Sequence, residues 1–265
     1  MNETLKWWET IKYAWTKYLA YRLNFFLEVL GPIIVFFFVQ YNLWSAIYGE
    51  DPNLIIQGYT KNQMLAYFGW TLIVSMLARG HMSGNLAADI RLGRISSHLI
   101  YPFDFWKYHA SSFISFQAIQ LFIAIISGLL LITFNIITVP SVESLFLGVL
   151  YCLYVGIFWF TTQYLIGIFA FWLSETWILR VIFMLISSFL AGAYFPLEIY
   201  PEWLQKILHL LPFSYIQYYP VKILMGETQY LTKSLVMITL WWIPLMALTA
   251  FVWRRGIRRY TAAGM

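Results

Sequence analysis

Charge is what this chain has least of. Only 11% of its 265 residues are Asp, Glu, Lys or Arg, against about 25% in soluble domains. With 61% hydrophobic and 20% aromatic residues, it has too little polar surface to face water on all sides. Lipid must be the solvent for much of it. There is one cysteine, Cys152. No disulfide can close within the chain, and the apolar run around Cys152 marks it as a small core residue. No G-x-x-x-x-G-K-[ST] phosphate loop occurs, so the chain cannot cradle ATP phosphates itself. The opening residues carry charges through their apolar face and show no cleavable leader.

Catalytic constellations are equally sparse. The four histidines, His81, His98, His109 and His209, show no metal-ligand spacing, and no paired carboxylates occur. His81 and Ser83 are close in sequence but do not face each other on a helix. Among the predicted spans only the first holds an ionisable residue near its middle, Glu28, about two turns inside, where it can pair with Arg22 or line a pore. An ion-coupled carrier needs more than that. A bond-making enzyme and a carrier or channel working without ATP are therefore the rival readings.

What is present is a series of long apolar runs. We expect an all-α polytopic membrane protein with six transmembrane helices, at about 23–43, 64–82, 112–137, 145–173, 177–194 and 235–253. Residues 1–21 form an interfacial amphipathic helix. Trp7, Trp8, Ile11, Ala14, Trp15, Tyr18 and Leu19 share one face, and Lys6, Glu9, Lys12, Thr16 and Lys17 the other. Pro32 after Gly31 predicts a kink in the first span. Residues 83–108 form a long polar loop between spans 2 and 3. Residues 195–232, with Pro196, Pro201, Pro212 and Pro220, form short re-entrant helices between spans 5 and 6, one of them over 202–211 and too short to span. The whole chain, 1–265, reads as a single membrane domain.

Six spans put both termini on one side. The bases Lys6, Lys12, Lys17, Arg22, Arg79, Arg91, Arg94, Lys107, Arg180, Arg254, Arg255, Arg258 and Arg259 fall there, and Lys61, Lys206, Lys222 and Lys233 on the other, 13 against 4 of the 17. Positive-inside asymmetry makes the first side cytoplasmic. The net charge of +5 is thus a topology signal rather than a nucleic-acid footprint. The Arg254–Arg259 cluster reads as an anchor against anionic lipid.

Four stretches, taken in order, resemble the membrane subunits of type-2 ATP-binding-cassette exporters, the ABC-2 type permeases. They are the amphipathic helix before span 1, the loop DIRLGRISSHLIYP, the stretch FPLEIYPEWLQKILHLLPF, and the tail RRGIRRYTAAG. The tail is similar to that of a subgroup with paired unlike permeases. The resemblance implies export of a hydrophobic or amphipathic cargo (a drug-like molecule, a peptide or a lipid-linked compound), in a bacterial inner membrane. It implies a second permease, like or unlike, and a separate ATPase that holds ATP and Mg, with no cofactor on this chain. It makes Asp89, Arg91, Gly93, Arg94, Ser96, His98, Leu99, Ile100, Tyr101 and Pro102 the ATPase-coupling segment, with a coupling helix over about 95–101. Arg91, Arg94 and His98 would be its polar contacts, and Leu99, Ile100 and Tyr101 its anchors. By the same analogy the substrate path runs past Tyr67, Phe68, Trp70 and Thr71 of span 2, and Phe183, Ser187, Ser188 and Tyr194 of span 5.

Overall fold

The computed structural model describes residues 3–20, 22–49, 51, 54–80, 85–96 and 104–260. Helices dominate it, and no strand occurs among the described residues; Ile56 and Tyr59 make one isolated bridge. The first helix, α1 (Glu3–Ala20), packs on the start of α5 (Phe105–Thr133). Ser115 donates a hydrogen bond to the Ile11 carbonyl across that contact (2.9 Å). Ala14 is buried there, while Trp8 and Trp15 of the predicted apolar face stay exposed. The next helix, α2 (Arg22–Tyr48), passes through Pro32 and runs five residues beyond the predicted span end at Leu43. The expected roles of Glu28 and Arg22 lie outside the described side chains, as do the expected positions of Tyr18 and Leu19.

At the centre stands α3 (Lys61–Ala78). Thr60 and Gln63 form a reciprocal capping box at its start, which satisfies two orphan N–H groups. From Met64 to Ala78 only Ala66 and Ser75 are not buried. The reason is packing on every side: α3 touches α2, α5, α6 (Val142–Ile168) and a short helix of the later cap. After α3 comes α4 (Asn85–Arg91). Ser141 caps α6 by accepting from the Ser144 N–H (3.1 Å), and a 3-10 turn, Phe169–Phe171, extends it. Its Cys152 is free and buried, as the sequence implies.

Among the described residues, three helices are long and apolar enough to cross a membrane: α5, α6 with its 3-10 turn, and α11 (Tyr230–Arg259). The fifth predicted span is shorter than expected. As α7 (Trp177–Leu190) it has 14 residues, about 21 Å at 1.5 Å per residue, and Gly192 (φ +82°) turns the chain beyond it. Only Ser187 and Ser188 of α7 are buried. The Arg254–Arg259 cluster, expected to follow span 6, forms the last turns of α11 itself. Span 3 likewise starts earlier than expected, at Phe105, so the loop predicted over 83–108 loses its last residues to α5.

The proline-rich stretch folds as a 3-10 turn (Leu197–Ile199), α8 (Glu202–Leu208), α9 (Phe213–Ile216) and α10 (Tyr218–Leu224). Here α8 stops before the predicted Leu211. Of its expected apolar side, Leu208 is buried and Trp203 and Ile207 are exposed. The last helix of this group, α10, buries every residue but Lys222 against α3 and α6. We call this group the cap.

Candidate functional site

The Asp89–Ser96 segment is held by chain stretches that are far apart in sequence. Ile90 and Ile95 sit in an apolar cluster with Leu86, Phe105, Phe160, Ile168 and Val252, which anchors the segment on α5, α6 and α11. Gly93 has φ +73°, a backbone conformation that costs other residues about 1 kcal/mol or more. Its carbonyl accepts the Tyr260 hydroxyl (3.0 Å), and that hydroxyl also meets Ser96 Oγ (2.7 Å). Arg91 pairs with Glu175, which follows the α6 turn. At Gly256 an added Cβ would lie 2.2 Å from the Phe171 ring, so glycine lets α11 approach that same turn.

The predicted coupling residues divide under this geometry. Arg91 and Arg94 keep about half of their side-chain surface exposed (44% and 51%). Asp89 does not face outward: it is buried, accepts from Arg94 Nε (2.7 Å) and lies 3.6 Å from His109 Nε2. Its part is to fix the segment on α5. His109 itself is buried edge-on against Phe105 (centroids 4.4 Å apart). The helical pattern expected over 95–101 is described only at Ile95 and Ser96; His98, Leu99, Ile100, Tyr101 and Pro102 lie outside the described residues. So do His81 and Ser83 of the enzyme alternative. The helix that is described precedes Gly93. Sequence reasoning missed Leu92, which is 60% exposed beside a groove lined by Arg91, Trp172, Leu173 and Arg259. The signal was available: two residues past the buried Ile90, a helical side chain points almost the opposite way.

The residues taken as a substrate path mostly meet residues outside that set. Tyr67 is wholly buried and donates to the Gly192 carbonyl (2.7 Å). The Thr71 carbonyl accepts from Gln217 of the cap (2.7 Å). Phe68 stacks on Trp44 (5.9 Å), and Trp70 is buried in the same core. Phe183 lies 5.7 Å from the Trp159 ring. Tyr194 sits 6.3 Å from Phe189. Tyr67, Phe68 and Trp70 are therefore core residues, and Ser187 and Ser188 face a residue the path did not include.

That residue is Arg79. It caps α3, and its side chain turns back along the bundle to α7. Nη2 donates to Ser187 Oγ (3.1 Å) and Ser188 Oγ (2.8 Å), and the guanidinium lies 4.8 Å from the Trp159 ring centre. Both serines spend their own hydrogens on the Met184 carbonyl, so toward Arg79 they act as acceptors. No ion pair to Arg79 occurs among the described residues. The sequence reading places Arg79 near the end of span 2 and counts it with the bases of the first side; its contact with α7 is not foreseen there. A base at a helix end reads as an interfacial residue because its reach is not visible in sequence.

In the cap, Glu198 is the hub. Oε1 accepts from Tyr59 (3.0 Å) and Tyr218 (2.7 Å) and lies 3.4 Å from Lys222 Nζ. Lys222 also pairs with Glu227 (2.7 Å) and faces the Tyr59 and Tyr218 rings. Burial, then the Glu198 charge, pushes both phenols far above their ordinary range, so they stay donors at any physiological pH. Among the described residues no group of His, Cys, Asp and Glu is arranged to hold a metal ion.

Comparison with known proteins gives one positive finding. The family model described as "ABC-2 family transporter protein" matches residues 33–264. Neither the curated proteins nor the solved structures yield a match.

Proposed function

The chain belongs to the ABC-2 transporter family, which makes it the membrane permease component of an ABC transporter, and from that premise we propose that it exports a hydrophobic or amphipathic cargo. It does no bond-making chemistry itself. A separate ATPase binds ATP and Mg and docks on the Asp89–Ser96 segment and the coupling helix that follows. With a second permease it forms the path, in a bacterial inner membrane, with both termini cytoplasmic and six spans. The cap lies outside as re-entrant helices.

One observation carries this reading. The Asp89–Ser96 segment is tied to the ends of α5, α6 and α11 through Asp89, Arg91 and Tyr260, yet presents Leu92 and two arginines outward. A push on such a segment moves several helix ends together, because packed interiors transmit displacement rather than absorb it. The exposed bases suit an acidic partner surface.

The test is reconstitution with the co-purifying ATPase. Arg94→Glu and Leu99→Asp should uncouple ATP hydrolysis from export while membrane insertion stays normal. Wild-type export by both variants removes the docking assignment. Transport by the purified chain with no ATPase present would instead favour the ATP-independent carrier.

A further inference from the structure

We propose that Arg79, with Ser187 and Ser188, is a binding site for the anionic headgroup of an amphiphile. It rests on the permease reading and narrows the cargo to molecules with a carboxylate or phosphate on an apolar tail.

The argument begins with depth. Trp159, under the guanidinium, lies nine residues before the end of α6 at Ile168, about 13 Å along the helix axis. The serines belong to the last turn of α7, at its far end. The charge is therefore held inside the bundle at membrane depth. Placing a cation there costs on the order of 2.5–3.5 kcal/mol on insertion scales.

The groups around it offset only part of that cost. Two serine hydroxyls and an aromatic face supply dipoles and a quadrupole, not a counter-charge. Both hydrogen bonds come from Nη2. Nε and Nη1 make no hydrogen bond among the described residues, and no carboxylate pairs with the group. A structural clamp between α3 and α7 needs no full charge; a glutamine or tyrosine would serve. What a fixed guanidinium adds is a planar set of donors matched to an oxyanion.

The surroundings indicate a tail as well as a head. Phe183 and Trp159 adjoin the site, and Met184, one turn before the serines on the same face of α7, is exposed. An anionic amphiphile can enter sideways from lipid, keeping its tail on that apolar face while its headgroup meets Arg79.

The experiment uses the purified protein, with its accompanying ATPase, in phosphatidylcholine nanodiscs. Dodecanoate and dodecyl phosphate are the probes, and dodecanol is the neutral control. The charged probes should bind tighter than dodecanol by about tenfold or more, the scale of one charge-assisted hydrogen bond. Arg79→Gln should abolish that preference and leave dodecanol binding unchanged. Arg79→Lys should keep part of it, and the Ser187→Ala, Ser188→Ala pair should keep most, because the charge remains. An unchanged preference in Arg79→Gln, or none in the wild type, overturns the proposal. So does displacement of the probes by inorganic phosphate, which would mean a free anion. Competition from phosphatidylglycerol assigns the headgroup to resident lipid and overturns the narrowing of the cargo; its absence supports that narrowing. ATPase co-purification on the same samples tests the permease reading separately, since the anion preference can be read with or without it.

Discussion

The two polar ends of this molecule are built differently. In the cap, Glu198 gathers Tyr59 from before α3 and Tyr218 and Lys222 from α10, and rings such as Tyr215 and Tyr219 stack (4.6 Å). Its polar groups are met mostly internally, although Glu198 Oε2 is buried with no hydrogen-bond partner among the described residues. At the other end, the Asp89–Ser96 segment is tied down along one side and leaves Leu92, Arg91 and Arg94 outward. One end turns most of its polar groups in on itself; the other leaves side chains outward, on the surface to which the proposed docking is assigned.

The sharpest way to break this contrast is at the hub. Glu198→Ala should cost about 2–3 kcal/mol, because it strands two buried phenols at once and leaves Lys222 with Glu227 alone. Chemical unfolding in detergent measures it, and an unchanged midpoint would mean that the cap does not depend on its hub. Next in size is Tyr260→Phe, which removes the ties to Gly93 and Ser96 for about 1 kcal/mol. Its larger consequence should appear as fewer cargo molecules exported per ATP hydrolysed, measured in proteoliposomes.

A smaller effect belongs to His209, which meets the Tyr219 hydroxyl through Nδ1 (3.0 Å). Burial first, and then the charge of Lys233, lowers its pKa. The native state therefore binds fewer protons than the unfolded chain, so stability rises with pH in that window. Acidification through about pH 6.5, the ordinary histidine value, should loosen the cap, and the slope should vanish in His209→Gln. Thermal melts across pH 5–7 read this out. Least of all should Leu92→Ala disturb folding, by under about 0.5 kcal/mol as at other exposed sites. Yet it should weaken ATPase co-purification; a variant that unfolds without losing the ATPase would reverse the roles assigned to the two ends.

Much of the architecture was legible beforehand. The apolar runs announced α5, α6 and α11, and the four prolines announced a broken stretch rather than a span. Boundaries slipped where composition changes gradually. Phe105 to His109 mixes aromatic and polar residues, so its membership of α5 rests on Phe105 and His109 being buried against neighbours. Leu190 ends α7 early because Gly192 takes a left-handed turn and its carbonyl is claimed by Tyr67.

The candidate sites were less legible, for a shared reason. Tyr260 and Gly93, Arg79 and Ser188, Glu198 and Tyr59 are each more than a hundred residues apart, and no periodicity within one helix links them. Asp89 entered the coupling segment through the family resemblance, and in the fold it is turned inward toward Arg94 and His109.

By itself the sequence determined the solvent, the helical class and the absence of a fuel site, since these follow from composition and from motifs that a chain either has or lacks. Only the tertiary structure decided which polar groups meet. A hydrogen bond needs its partners within about 3 Å, and that proximity is set by how whole helices pack, which no local stretch encodes.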